Sequence, residues 1–155
     1  MSLEIAKAHL RKYGKEEAVQ EFAVSSATVE LAAKAVGTEP GRIAKSLTYQ
    51  FEDTGLMIVA AGDVRVQNRL FKATFGMKAR MLPPEEVPEK TNHAVGGVCP
   101  FGVPEALPVY LDESLKAYDI IYPACGSANS CVKLTPEELY EIAGAKGWVD
   151  VCKEQ

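Results

Sequence analysis

Residues 43–61 read IAKSLTYQFEDTGLMIVAA, two apolar runs separated by a short polar segment. Residues 43–51 and 56–61 have the length and composition of strands, and the EDTG between them supplies turn residues that end in a glycine. The pattern predicts a β-hairpin. One lysine, Lys45, lies within the first run, in a stretch that otherwise indicates a buried strand.

Helices and further strands are predicted on both sides of this hairpin. Four segments combine helical spacing of apolar residues with a capping signal: residues 3–13 after Ser2, 29–36 between Thr28 and Gly37, 65–75 before Gly76, and 136–145 after the Thr135 capping box. Residues 83–90 form an acidic helix or turn, and strands are predicted at 18–24, 78–82, 109–111, 118–122, 131–134 and 148–151. No regular βαβ repeat is present, so we expect a mixed α/β fold (α+β): a curved, mostly antiparallel or mixed sheet, or a barrel, with helices packed outside it.

Length and composition are those of an ordinary globular protein. The 155 residues are 47% hydrophobic and 25% charged, which predicts one domain spanning residues 1–155. No apolar run reaches the roughly 18 residues that cross a membrane. The first fourteen residues lack the apolar stretch and the cleavage site of a signal peptide. We therefore expect a cytoplasmic protein.

The cysteine and histidine pattern disfavours a metal site. The four cysteines, at positions 99, 125, 131 and 152, contain no CxxC pair, and the chain has only two histidines. In a reducing cytosol such cysteines are expected to be free and mostly buried thiols. We expect neither a metal nor a cofactor.

The charge distribution indicates a local basic window. The net charge of −4 argues against a protein that coats long nucleic acid. Between Asp63 and Glu85, however, there is no acidic residue, and five basic residues lie there: Arg65, Arg69, Lys72, Lys78 and Arg80. The predicted helix over residues 65–75 would place the first three of them on one face, where they could contact phosphates. A solvated helix face is the alternative.

A second candidate site is the irregular segment of residues 93–108, which holds three glycines and three prolines. A loop of this length in a compact domain is usually functional. We call its first part, HAVGGVCPFG (residues 93–102), the Gly loop. Adjacent glycines Gly96 and Gly97 let the backbone approach a ligand and direct N–H groups at one point, and Pro100 stiffens the end of the loop. Such a loop can hold a carbonyl or a developing oxyanion, although a tight surface turn has the same composition.

Three further observations bear on chemistry. Lys45 at the mouth of a pocket could pair with a phosphate or polarise a carbonyl, or it could extend to solvent. The polar turn CGSANS (residues 125–130) could supply hydrogen bonds to a ligand, or its small polar residues could serve only to form the turn. Cys99 and His93 could form a nucleophilic pair, but no orienting acid is evident, and no Ser-His-Asp triad is visible.

Together these segments resemble the YbaK-type aminoacyl-tRNA deacylases, relatives of the editing domain inserted in bacterial prolyl-tRNA synthetases. The resemblance covers about residues 24–139, most of the chain. It rests on TVELAAKAVG (28–37), RIAKSL (42–47) with the family lysine, KARMLPPEEV (78–87), the Gly loop and CGSANSCVKLTPEEL (125–139). Within the Gly loop, Gly96-x-x-x-Pro100 matches the family's Gly-x-x-x-Pro signature.

The resemblance implies a fold like that editing domain and a site centred on Lys45 and Gly97. Lys45 would contact the aminoacylated 3′ end of tRNA, and backbone N–H groups from Gly97 to Cys99 would hold the scissile carbonyl. Members of the family need no metal and rely on a positioned water or on hydroxyls of the terminal adenosine. The implied substrate-binding residues are Ser46, Gly96, Val98, Cys99, Pro100, Phe101, Gly126, Ser127 and Asn129, and the implied tRNA contacts are Arg65, Arg69 and Lys72.

Three functions remain as hypotheses. The first is a free-standing hydrolase that deacylates mischarged tRNA, with tRNA and an aminoacyl-tRNA synthetase as candidate partners. The second is a non-catalytic module that binds an aminoacyl or nucleotide group, and the third is a thiol enzyme that uses Cys99. Cys99 and His93 depart from the residues found in many relatives, so neither the edited amino acid nor the oligomeric state is assigned.

Overall fold

The computed structural model describes residues 2–154, which form five α-helices and nine strands. The helices are α1 (Ser2–Arg11), α2 (Val29–Val36), α3 (Asn68–Phe75), α4 (Val87–Thr91) and α5 (Pro136–Ile142). The strands are β1 (Val19–Glu21), β2 (Ile43–Tyr49), β3 (Leu56–Ala61), β4 (Val64–Val66), β5 (Val109–Asp112), β6 (Tyr122–Pro123), β7 (Ser130–Val132), β8 (Trp148–Val149) and β9 (Cys152–Glu154). Short 3-10 turns connect several of them.

The predicted hairpin is confirmed and forms the centre of the main sheet. β2 and β3 pair antiparallel over six residue pairs, from Ala44 opposite Ala61 to Tyr49 opposite Leu56. Every residue of β3 is buried, which explains why that strand has no polar alternation. The sheet order is β6-β2-β3-β5-β8, and its three other pairings are parallel.

The sheet is therefore mixed, as predicted, and it remains open, with β6 and β8 at its edges; within residues 2–154 it closes into no barrel. Two short antiparallel ladders, β1–β7 and β4–β9, lie outside it. Helices cover the sheet through buried side chains such as Leu10 of α1, Phe71 of α3 and Leu139 of α5. A smaller cluster joins α2 to the start of β2, where Ala32 and Ala33 pack with Ile43 and Cys131.

The helix caps follow the local signals. The Thr28 side chain accepts a hydrogen bond from the Leu31 N–H, and Gly37 ends α2 in the left-handed conformation, at φ 85°. Thr135 and Glu138 form the reciprocal capping box at the start of α5. Ser2 differs from its prediction because it is already the first residue of α1, and its hydroxyl accepts a hydrogen bond from the Ala94 N–H at 3.1 Å.

One prediction about the basic window is wrong. Arg65 does not lie on a helix, because it belongs to β4 and pairs with Lys153 of β9. The helix begins only at Asn68, so Arg65 shares no helical face with Arg69 and Lys72. The partner strand lies almost ninety residues further along the chain, beyond the reach of any local pattern.

Several strand boundaries also differ. The strand expected at 78–82 is reduced to a single bridge between Tyr49 and Met81, and the one expected at 148–151 is shortened to β8. β9, which begins only at Cys152, was not predicted and joins a different ladder. β6 begins only at Tyr122, after a 3-10 turn over Glu113–Ala117. None of the helices within residues 2–154 is long and apolar enough to cross a membrane.

Candidate functional site

A gap in the main sheet lies beside β2. β6 pairs only with Ile43 and Ala44, and the chain rejoins this edge of β2 where the Leu82 N–H donates to the Thr48 carbonyl at 3.1 Å. Between these two contacts, the edge of residues 45–47 that faces away from β3 has no strand partner within residues 2–154. A cavity of about 410 Å³ opens at this gap.

Four segments line the cavity: residues 26–32, residues 43–48 of β2, the stretch from Met81 to Val87, and the Gly loop, with Ala124 and Cys131 completing the wall. Four residues predicted from the sequence lie in this wall: Lys45, Ser46, Gly96 and Val98. Most of the other lining side chains are apolar, and among the described residues no carboxylate lines the cavity. Within residues 2–154 no group of three His, Cys, Asp or Glu side chains could hold a metal ion.

Among the described residues that line this wall, Lys45 is the only one with a positively charged side chain. Its ammonium donates a hydrogen bond to the Val64 carbonyl and forms no ion pair within residues 2–154. Partial burial lowers the pKa of Lys45, although the nearby Cys152 and Asp63 oppose that shift. A neutral carbonyl is a weak partner for an ammonium, so the charge can still interact with a substrate oxygen.

The Gly loop presents backbone donors, but not all of those expected. The N–H of Gly97 already donates to the Ala94 carbonyl at 3.0 Å. The N–H groups of Val98 and Cys99 make no hydrogen bond with the described residues. Of residues 97–99, only Val98 both lines the cavity and has an unbonded N–H, because Cys99 is fully buried outside the cavity wall. The carbonyl-holding role predicted for these residues is thus open to the Val98 amide, and it stays a prediction.

Close packing, rather than unusual backbone dihedrals, explains the glycine at position 97. The positive φ values of the loop belong to Gly96, at 95°, and Gly102, at 77°, and not to Gly97. A Cβ added to Gly97 would lie 2.7 Å from the Gly126 carbonyl carbon and 2.8 Å from the Ser127 nitrogen. Gly126 in turn packs against the backbone of Ser2, where an added Cβ would lie 2.3 Å from the carbonyl oxygen. The two loops and the start of α1 therefore stack directly on one another.

The remaining predicted substrate residues lie outside the cavity wall. Cys99, Pro100 and Phe101 are buried in the second half of the Gly loop. The polar groups of the CGSANS turn bond to one another and to β1: the Ser127 hydroxyl donates to Asn129 Oδ1 at 3.0 Å, and Asn129 Nδ2 donates to the Phe22 carbonyl just after β1, at 2.9 Å. Gly126 is covered by α1. Substrate contacts from these residues stay predictions.

Cys99 and His93 lie close together, yet their geometry does not suit a nucleophilic pair. The Cys99 Sγ is 3.4 Å from His93 Nε2, and that nitrogen is 2.7 Å from the Phe101 carbonyl oxygen. Because a carbonyl only accepts, Nε2 must carry the proton and cannot take one from the thiol. Burial raises the pKa of Cys99 and lowers the pKa of His93, so both side chains favour their neutral forms.

The thiols should therefore be unreactive in the folded protein. All four are buried, and burial raises the pKa of Cys125 to about 12, of Cys131 to about 11 and of Cys152 to about 12. Since the thiolate is the reactive form, we expect iodoacetamide at about pH 8 to add to none of them before denaturation and to all four afterwards, counted by intact-mass spectrometry. Rapid modification of Cys99 in the folded protein would revive the thiol-enzyme hypothesis.

The side chains of the basic window are exposed to solvent and form no ion pairs with the described residues. All five of its side chains are exposed, and within residues 2–154 none of them forms an ion pair: Arg65, Arg69, Lys72, Lys78 and Arg80. Other cations of the chain do pair, as Arg42 does with Asp119 at 2.7 Å. The window is free to contact phosphates, and its role in tRNA binding stays a prediction.

Comparison with known proteins identifies the family. Residues 24–142 match the model of the aminoacyl-tRNA editing domain. The chain is 51% identical to "Uncharacterized protein YwhH" of Bacillus subtilis, over 99% of both chains. It is 29% identical to "Putative Cys-tRNA(Pro)/Cys-tRNA(Cys) deacylase EbsC" of Enterococcus faecalis, over 77% of this chain and 74% of that protein. A solved structure, "Crystal structure of a putative trans-editing enzyme for prolyl tRNA synthetase", superposes with a TM-score of 0.88 at 34% identity, covering 98% of this chain and 97% of that one. The chain belongs to the aminoacyl-tRNA editing domain family.

Proposed function

We propose that this protein is a free-standing hydrolase that cleaves the 3′-terminal ester of mischarged aminoacyl-tRNA. One observation carries the proposal: an apolar cavity beside β2 is bordered by Lys45, a cation without an ion pair within residues 2–154, and by Val98 of the Gly loop, whose N–H makes no hydrogen bond with the described residues. An aminoacyl ester offers the matching groups, a carbonyl oxygen and an amino-acid side chain. Membership of the editing family supports the same reaction class.

The proposed reaction needs little acid–base chemistry from the protein. A water molecule adds to the ester carbonyl, the ester C–O bond breaks, and the terminal ribose hydroxyl leaves with a proton, which yields free amino acid and tRNA. The charge that develops on the carbonyl oxygen is stabilised by the Lys45 ammonium and by the free Val98 amide of the Gly loop. One such electrostatic contact in a site of low polarity contributes about 3 kcal/mol, or about a hundredfold in rate.

Partners and location follow from this reaction. The proposed partner is the acceptor end of a charged tRNA, and an aminoacyl-tRNA synthetase that produces the mischarged ester is a further candidate. The proposed place of action is the cytoplasm, where tRNA is charged and used.

A deacylation screen tests the proposal. The purified protein is incubated with a panel of correctly and incorrectly charged tRNAs, and release of each labelled amino acid is followed over time. We expect release of one or two amino acids by the wild type and loss of that release in Lys45→Ala. A folded protein that releases none would favour the alternative, a non-catalytic aminoacyl- or nucleotide-binding module of the same fold.

A further inference from the structure

Two exposed apolar side chains stand at the mouth of the cavity. Met81 exposes 56% and Val95 64% of its surface, and both line the cavity wall. Within residues 2–154 six large apolar side chains are exposed, and these two, from separate segments of the chain, meet at one cavity. Apolar side chains that remain exposed beside a cavity are a common sign of a ligand contact.

Both residues are held on anchored backbone. Met81 bridges to Tyr49 at the end of β2, and its carbonyl accepts a hydrogen bond from Gln50 Nε2 at 3.3 Å. Val95 lies between Ala94, whose N–H bonds to the Ser2 hydroxyl, and Gly96. A rim fixed in this way loses little conformational freedom when a ligand binds.

The charges next to this rim indicate what the ligand is. Arg80 is the residue before Met81, and Lys78 lies three residues before it; both are exposed, and neither forms an ion pair within residues 2–154. Apolar contact surface beside free cations suits the end of a single nucleic-acid strand, whose bases stack on side chains while its phosphates attract cations. The flexible, polarisable thioether of Met81 can adapt to the face of a planar base.

We propose that Met81 and Val95 clamp the terminal base at the 3′ end of tRNA and thereby place the aminoacyl ester in the cavity beneath. This inference rests on the proposed function and adds a positioning role to residues that make no contact with the reacting bond. Loss of the clamp weakens binding of the acceptor end and leaves the Lys45 side chain and the Gly loop amides in place.

The test compares the double variant Met81→Ser/Val95→Ser with a matched control, Val24→Ser. Val24 is 62% exposed, close to the exposure of Val95, and does not line the cavity. We expect the double variant to raise KM about tenfold, as loss of one stacked base does, with kcat within about twofold of the wild type. The control should change neither constant.

A second substrate identifies the group that is clamped. A charged minihelix whose terminal nucleotide lacks its base should raise the KM of the wild type about tenfold and should add no further loss in the double variant. Two results would overturn the clamp and leave the hydrolase proposal intact. One is a rise of about tenfold in KM when the double variant is given the substrate without its terminal base. The other is a double variant whose KM for the normal substrate equals that of the wild type.

If the wild type shows no turnover, the hydrolase proposal is refuted. The clamp is then tested by a binding measurement. Fluorescence anisotropy with an uncharged minihelix that ends in adenosine should give a Kd about tenfold weaker for the double variant than for Val24→Ser. Equal Kd values would overturn the clamp. Thermal melting of each variant verifies that these exposed substitutions leave the fold unchanged.

Discussion

Lys45→Ala is expected to lower the single-turnover rate of deacylation about 100- to 1,000-fold, the usual cost of removing one preorganised electrostatic contact. The fold should survive, because the lost hydrogen bond from the half-buried ammonium to the Val64 carbonyl is worth about 1.5 kcal/mol net. For a chain of this size, that amount lowers the thermal midpoint by roughly 3–6 °C. The rate is measured with enzyme in excess over the identified mischarged tRNA, and the midpoint by circular dichroism.

The matched control is Lys34→Ala, which removes an exposed lysine from α2 and should change neither the rate nor the midpoint. Two outcomes would contradict the assignment. If Lys45→Ala unfolds, Lys45 has a structural role through its contact with Val64, and its assignment to the site is wrong. If the variant is folded and fully active, the cation of the cavity plays no part in the reaction.

Gly97→Ala is expected to abolish most activity through packing alone. The new methyl group would lie 2.7 to 2.8 Å from three backbone atoms of Gly126 and Ser127, closer than real Cβ contacts come. Backbone atoms cannot rotate away, so the Gly loop and the CGSANS turn must separate. A displacement of about 1 Å is enough to cost a hundredfold in rate when catalysis depends on positioning. Single-turnover rates and urea unfolding should both reveal the change.

Gly147→Ala provides the control for this prediction. Gly147 has no positive φ, and an added Cβ would meet no atom within 4 Å. The same chemical change should therefore be neutral or slightly stabilising, because alanine reduces the freedom of the unfolded chain. Wild-type activity in Gly97→Ala would show that the two loops can separate without cost and would remove the Gly loop from the proposed mechanism.

Features encoded within a few neighbouring residues could be predicted from the sequence. Three such features are confirmed by the structure: the hairpin over residues 43–61, the Thr28 cap and the Thr135 capping box. Each depends on the residue types and spacing of a short continuous segment. Family membership could be inferred in the same way, because the order of short motifs along the chain carries it.

Tertiary structure alone decided how those pieces meet. The gap beside β2 exists because β6 and the chain before Leu82 contact different parts of the same strand edge, and Arg65 is a strand residue because Lys153 pairs with it. The glycine requirement at position 97 arises from Gly126, on a distant loop. Each of these facts is a contact between residues far apart in sequence, and pattern along the chain carries no information about which distant backbone will occupy the neighbouring space.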